Sequence, residues 1–368
     1  MPPLLRLLFA SLFWALPFVF LVPPTAHAAT ASRSTGAAAA AAASAAESKS
    51  IMTALTKAHA AVVGVRVTAV DGARSTQTLG INRRGSGVVI SSNGLILTIG
   101  YLLLEAEQIE VVTQDGKALP ATAVAYDLAT GFGLVRPLVS SPLLRGVVPV
   151  VLGSAQSLKN GAPLMAATGA GLEGDAAGVS MTRLVSRRAF SGTWEYHLDT
   201  ALFTSPPVSS GGGNHSGAPL FNSAGELMGI GSLLVMDALG QNFRMPGNMF
   251  VPIDLLPPIL AELQQSGSSK QSNRAWLGVT SSDQGGRVQV MRVSEGSPAE
   301  DAGLTPGSVV QAIDGVAVTT LEAFYKKLWA RDTPEQPVQL TVREGDEVKV
   351  IDIKPQSRML SLKKPAGI

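Results

Sequence analysis

The sequence predicts a mainly β protein: an all-β barrel or sandwich of short strands, followed by a small unit that mixes strands with one helix. Three observations carry this. β-rich runs meet at two-residue turn signals, Asn93-Gly94 in GSGVVISSNGLILTIGYLL and Asp115-Gly116 in IEVVTQDGKALPATAVAYD, the strongest short-range marks of a hairpin. Short strands punctuated by Gly, Asn and Asp continue to about Ile253, the rhythm of barrels and sandwiches. A polar stretch, SGSSKQSN from Ser266 to Asn273, then sets off a last unit, Arg274 to Pro355, with strands, an Ala-Gly-Leu turn and a helix from Leu321 to Trp329.

Taken in order, the chain opens on MPPLLRLLFASLFWALPFVFLVPPTAHAA. Arg6 precedes an apolar run from Leu7 to Val22, Pro23-Pro24 breaks it, and Ala26-His27-Ala28 is an A-x-A cleavage pattern. This is the layout of a secretory signal peptide, against the alternative of an uncleaved membrane anchor, and the run is shorter than the ~20 residues of a membrane span. The chain therefore has no stable span once the signal is removed, and its expected location is the periplasm. An Ala/Ser-rich stretch follows, with the composition of a linker. From Ser50, Ile51, Leu55 and Ala58 recur at helical spacing, and Val63, Val65 and Val67 alternate as in a strand. DLLPPILAELQQ, before the polar stretch, reads as a second helix. The tail QSRMLSLKKPAGI is expected to be poorly ordered.

Composition narrows the functions open to the chain. Its 368 residues suffice for two domains; 46% are hydrophobic and 15% charged, which is globular. A net charge of +2 without a basic run speaks against nucleic acid as a partner. With no cysteine there is no disulfide, no thiol chemistry and no Cys-ligated metal. No cofactor motif and no metal site are expected.

SGAPLFNSAGELMGI, from Ser216, is similar to the S-G-G-P-L-x-N-x-x-G-x-x-I-G-I nucleophile segment of the HtrA/DegP family of exported serine proteases. GSGVVISSNGLILT is similar to the family's hairpin before the catalytic His, LGSAQSLKNGAPLMAATG to its L-G-x-S run, and NMFVPID to the strand closing its second barrel. RAWLGV, VSEGSPAEDAGLTPGSVVQAIDGVAV and PVQLTVREGDE resemble an HtrA PDZ domain. The resemblance covers nearly all of Ser50 to Pro355. It implies a chymotrypsin-like double β-barrel followed by a small α+β PDZ domain. The implied boundaries are a signal peptide at 1–28, a linker at 29–49, a protease-like domain at 50–263, a linker at 264–273, a PDZ domain at 274–356 and a tail at 357–368.

Carried over position by position, the resemblance puts Ser216 at the nucleophile but withholds its partners. A serine hydroxyl needs a base within hydrogen-bond reach, a group that orients the base, and donors for the oxyanion. Where the family reads T-N-N-H-V-V this chain reads TIGYLL, so Tyr101 stands at the His position; a phenol, with a pKa of ~10, takes no proton from serine at pH 7. Where the family reads D-x-x-x-D-I-A-L this chain reads DLATGFGL, so Gly131 stands at the Asp position and Asp127 matches only the first, non-catalytic Asp. The oxyanion donors would be the N–H groups of Asn214 and Ser216, with Asn214 in place of a glycine. Of the four histidines, His197 in WEYHLDT is the substitute base to consider, against the ordinary reading of a packed strand histidine.

In the PDZ-like unit Trp276-Leu277-Gly278-Val279 matches the loop whose backbone N–H groups catch a terminal carboxylate, while the peptide adds as a strand beside a helix. Leu321, Phe324 and Leu328 share one helix face; Phe324 and Leu328 are candidates for lining the groove, against the alternative that they are core. The leading expectation is an exported pseudoprotease that binds peptide C-termini or unfolded polypeptides as an adaptor or chaperone in envelope protein quality control. The alternative is an active serine endopeptidase with a non-standard base at Ser216. For assembly, a homotrimer and a mixed oligomer with an active relative are both open.

Overall fold

The computed structural model describes residues 28–138, 147–170, 177–208, 215–240 and 243–363. The apolar core of the expected signal peptide, Asn214 and the last five residues lie outside these.

The first element, α1 (Ala28–His59), takes in both the Ala/Ser-rich stretch and the helix expected from Ser50. Alanine has the highest helix propensity of any residue, so a stretch with the composition of a linker is helical here. On its last turns Leu55 and Ala58 are buried in the first core. Among the described residues no helix is long and apolar enough to cross a membrane.

The strands follow in two matching sets. β1 (Val62–Ala69), the short α2 (Thr76–Leu79), β2 (Asn82–Val89), β3 (Ile96–Ile99), β4 (Ala106–Val112), β5 (Ala118–Tyr126) and β6 (Phe132–Pro137) come first. Their strands close into a barrel in the order β1-β2-β3-β6-β5-β4. Then come β7 (Pro163–Thr168), β8 (Gly178–Gly192), β9 (Tyr196–Ser205), β10 (Pro219–Phe221), β11 (Leu227–Val235) and β12 (Gly247–Pro252), which close in the order β10-β11-β12-β9-β8-β7. Both turn signals fall where the sequence puts them: Val88 pairs Leu97 around Asn93-Gly94, and Val112 pairs Ala118 around Asp115-Gly116. Inward-facing Val, Ile, Leu and Phe of both barrels, among them Val65, Ile96, Phe132, Phe203 and Ile230, share one core. Closure removes the strand edges that an open sheet would expose.

The helix read from DLLPPILAELQQ is a 3₁₀ turn at Ile253–Leu255 and then α3 (Leu260–Ser266), which stops at Gly267 in a left-handed cap. The polar linker is docked rather than free. Ser269 and Ser272 are buried, and both hydroxyls donate to the Asp127 carboxylate in the turn before β6.

The last unit contains β13 (Ala275–Trp276), β14 (Val279–Ser282), β15 (Val288–Val293), α4 (Pro298–Asp301), β16 (Val309–Ile313), β17 (Val316–Ala317), α5 (Leu321–Trp329), β18 (Val338–Glu344), β19 (Glu347–Ile353) and β20 (Gln356–Ser357). β14-β15-β16-β18-β19 form its sheet, and β13 pairs β20. It has its own core, in which Phe324 and Leu328 are fully enclosed. The expectation of a loose tail fails up to Lys363: Arg358–Ser361 form a 3₁₀ turn, and Lys363 donates from its backbone N–H to Glu105 Oε1 (2.8 Å) and from Nζ to Gly72 O (2.6 Å). Those contacts tie the chain back to the first barrel.

Candidate functional site

Backbone hydrogen bonds hold the turn carrying Ser216. Ser86 N–H on β2 donates to Ser216 O at 2.7 Å, and Gly217 N–H donates to Gly231 O at 2.7 Å. Gly217 sits at φ +78°, and a Cβ there would lie 2.0 Å from Ser86 O and 2.4 Å from Thr98 Oγ1. Only glycine fits a backbone that turns this way against a neighbouring strand. The Ser-Gly dipeptide thus has a packing reason to be present that is independent of catalysis.

Tyr101, in a 3₁₀ turn after β3, does come against Ser216. Its hydroxyl lies 2.7 Å from Ser216 Oγ and 2.7 Å from Ser232 O. A carbonyl can only accept, so the single phenol proton goes to Ser232 O and the phenol oxygen accepts from the Ser216 hydroxyl. Burial pushes the phenol up to about 12, against a smaller downward pull from that serine contact. At neutral pH only about one molecule in 10⁵ would carry a phenolate. The group at the base position therefore has its proton committed to a carbonyl and no capacity to take another.

The position behind it is filled as well. Gly131, in the turn before β6, has φ +84°, and a Cβ on it would meet Tyr196 Oη at 3.0 Å. Tyr196, the first residue of β9, donates from that hydroxyl to Thr130 O at 2.7 Å. A second phenol stands where an orienting carboxylate would need room. Asp127, four residues earlier, has a structural task. Burial pushes its carboxyl upward, but the hydroxyls of Ser269, Ser272 and Thr130 and the Thr130 N–H outweigh that and hold it below the usual range.

His197 on β9 is buried, with Nδ1 2.9 Å from Ser191 Oγ and Nε2 3.2 Å from Asp199 Oδ1. Neither nitrogen bonds Ser216, so the structure does not bring the substitute base to the nucleophile position. His197, Asp199 and Glu322 do offer donor atoms within 4.8 Å of one another. The Lys326 ammonium already fills the place of a cation there, 2.7 Å from Asp199 and 2.8 Å from Glu322.

In the PDZ-like unit Trp276, Leu277, Gly278 and Val279 form the expected loop between β13 and β14. Gly278 is at φ +87°, and a Cβ there would lie 2.2 Å from Ser297 Cβ, so the loop needs glycine for its own packing. The loop is engaged. Leu277 N–H donates to Glu195 Oε1 (2.9 Å) and Gly278 N–H to Glu195 Oε2 (3.2 Å), with the Val279 N–H turned to the same carboxylate. Ser281 N–H, next along β14, donates to Thr193 O at 2.8 Å. Phe324 and Leu328 line no groove, because both belong to the enclosed core. From α5 it is Tyr325 that reaches across, donating to Gly192 O (2.9 Å) and accepting from Glu195 N–H (3.2 Å). Burial raises the Glu195 carboxyl to about 7; the loop N–H groups and the Arg358 cation oppose that without cancelling it.

Glu195, Tyr196, Ser232 and Tyr325 carry this geometry, and none has a local sequence signal. GTWEYH reads as one more hairpin tip, and only the docking of the two units shows what its acid meets. A cleft of about 960 Å³ is lined by residues of both places, Tyr101, His215 and Ser232 from the one and Trp194, Trp276 and Gly278 from the other.

Residues 85–230 match the model of the trypsin-like peptidase domain, and residues 275–354 that of the PDZ domain. The chain is 26% identical over 301 residues to the putative serine protease HhoB of Synechocystis sp., covering 74% of this chain and 66% of that protein. It is 28% identical over 280 residues to a probable periplasmic serine endoprotease DegP-like of Hahella chejuensis, covering 72% and 55%. The chain thus spans between about half and two thirds of the length of these relatives. Among solved structures, the HtrA-type protease AlgW with decapeptide superimposes with a TM-score of 0.50 at 19% identity, covering 86% of this chain and 99% of that one, a likeness of fold. Two closed six-stranded barrels, a Ser-Gly turn of the second held against β2 of the first, and a PDZ unit behind them agree with these matches: the chain has a trypsin-like peptidase domain followed by a PDZ domain and is similar to HtrA-type proteases.

Proposed function

We propose that this HtrA-like chain is a pseudoprotease, a protein that holds polypeptide rather than cutting it. One observation carries the reading: the phenol of Tyr101 occupies the place of the base, donates its proton to Ser232 O, and lies 2.7 Å from Ser216 Oγ. Acyl transfer to Ser216 would need that oxygen's proton removed as the bond to the substrate carbonyl forms. A neutral phenol cannot do this, and among the described residues Gly131 and the Tyr196 phenol, not a carboxylate, stand behind it. Loss of triad members costs several orders of magnitude in rate.

The binding role rests on the loop Trp276 to Val279, whose backbone N–H groups converge on a carboxylate. Backbone donors of this kind read a free C-terminus and are indifferent to most of the sequence before it. The expected ligands are peptide C-termini with an apolar last residue, or unfolded chains that present such ends. The periplasmic name of the Hahella relative and the apolar N-terminal run favour work in the envelope, as an adaptor or chaperone.

The test is covalent labelling together with turnover. A fluorophosphonate should leave Ser216 unlabelled, and casein should be degraded no faster by the wild type than by Ser216→Ala. Labelling of Ser216, or casein cleavage abolished in Ser216→Ala, would establish the active endopeptidase in its place.

A further inference from the structure

We propose that the PDZ groove of this chain holds a built-in ligand, the hairpin tip Gly192 to Glu195 of the second barrel, and that a C-terminal peptide binds only by displacing it. The proposal rests on reading the Trp276–Val279 loop as a carboxylate site, and it adds how that site is regulated.

The contacts reproduce a bound peptide end piece by piece. Both Glu195 carboxylate oxygens take consecutive loop N–H groups, as the two oxygens of a terminal carboxylate would. Thr193 O accepts from Ser281 N–H, so backbone of the hairpin pairs with β14, the strand beside which a peptide would add. The helix wall closes through Tyr325, whose hydroxyl bonds Gly192 O and Glu195 N–H together. A short peptide would need these same donors and the same side of β14. Both cannot be present at once.

The hairpin pays a conformational cost to reach this position, which argues for a specific contact. β8 and β9 are joined by three residues, and the last of them, Glu195, is at φ +58°. Hairpins of this length commonly put glycine at that left-handed position. Here a glutamate takes it, although a non-glycine residue is disfavoured there. Its side chain leads away from the barrel and ends on the loop, where it is almost fully enclosed. An acid is the residue type that suits converging N–H donors, and an apolar side chain would leave them unpaired. The next residue, Tyr196, is the one whose phenol stands over Gly131, so one peptide unit separates the filled groove from the filled acid position.

The experiment uses the full chain as wild type, Glu195→Ala and Glu195→Gln. The probe is a fluorescent decapeptide ending in a free-acid valine, with its C-terminally amidated twin, titrated by anisotropy. In parallel, amide hydrogen exchange across residues 276–282 is followed without peptide. Glu195→Ala is expected to bind the free-acid peptide at least tenfold more tightly than the wild type, with Glu195→Gln between them. Exchange at Leu277 to Val279 should be faster in Glu195→Ala and slow again when peptide is added. Glu195→Gln keeps the side-chain volume and serves if the alanine variant does not fold. Equal peptide affinity in wild type and variants, or unchanged exchange at 277–279 in both variants, overturns the occupied groove. Should the variants open by exchange yet bind acid and amide peptides equally, the occupied groove stands and the carboxylate reading of the loop falls.

Discussion

At Ser216 the backbone of the Ser-Gly turn is held in place, but a phenol and a glycine stand where the base and the orienting acid would be. At Leu277 to Val279 the frame is the chemistry, it is complete, and another part of the chain sits in it. The two sites differ in what they ask of sequence. Nucleophilic catalysis needs a particular imidazole and a particular carboxylate, and Tyr101 and Gly131 offer neither, while Ser86, Gly217 and Gly231 go on holding the turn. Carboxylate recognition needs N–H groups that every residue but proline possesses, so only the shape of the loop, secured by Gly278 against Ser297, has to be kept. Substitutions at two positions can therefore undo the requirements of catalysis while leaving those of carboxylate recognition untouched.

The largest effect expected comes from trying to erase this difference. Tyr101→His alone should yield no casein cleavage, because nothing orients the imidazole. Adding Gly131→Asp should also fail, since the new side chain starts at φ +84° and meets the Tyr196 hydroxyl at 3.0 Å. The combination Tyr101→His, Gly131→Asp, Tyr196→Phe and Asn214→Gly removes that hydroxyl, supplies base and acid, and gives the oxyanion N–H at position 214 the conformational freedom of glycine. It should cleave casein about 10³-fold above the background measured with Tyr101→His. Activity in Tyr101→His by itself would show that the site needs far less repair than its geometry indicates.

A smaller effect is expected from removing one oxygen. Tyr101→Phe deletes the hydroxyl that serves Ser232 O and Ser216 together, and leaves a buried carbonyl without its donor. The cost should be about 1–2 kcal/mol in urea unfolding, with no change in the absence of turnover. An unaltered midpoint would mean that the phenol fills space and nothing more.

The smallest effect concerns pH and separates the second site from the first. Glu195 has its carboxyl raised from the ordinary range to about 7, burial being the main cause, and it faces the N–H groups of Leu277, Gly278 and Val279, the Tyr325 hydroxyl and the Arg358 cation. A folded pKa above the unfolded one means that the docked hairpin is favoured most below the ordinary carboxylate range. That advantage is lost as pH rises through about 7. The free-acid peptide, ionised throughout, should thus bind the full chain several-fold more tightly at pH 8 than at pH 5.5. Glu195→Gln should flatten the profile, and a flat wild-type profile would separate peptide entry from Glu195 ionisation.

What could be read without the structure was local. Asn93-Gly94 and Asp115-Gly116 gave two hairpins because turn chemistry is set by neighbouring residues. Tyr101 and Gly131 were legible as substitutions because the motifs around them are continuous in sequence. The loop Trp276 to Val279 was legible for the same reason. Phe324 and Leu328 show where this stops. One apolar helix face suits a core or a groove equally well, and only packing assigns both residues to the core.

The sequence by itself determined a run of short strands followed by a small unit of strands and one helix, since those facts reside in periodicity and turn chemistry; its resemblance to the HtrA family implied the two barrels, the PDZ domain and a Ser216 with neither histidine nor aspartate in the family positions. Tertiary structure decided what stands in their place. Tyr196 is 65 residues from Gly131, and Glu195 is 82 from Leu277, so no pattern along the chain joins them. They meet because β8 and β9 project one hairpin into the gap between the barrels and the PDZ unit. In that gap the hairpin's acid, buried and turned to backbone donors, finds the partners that a separate peptide would otherwise supply.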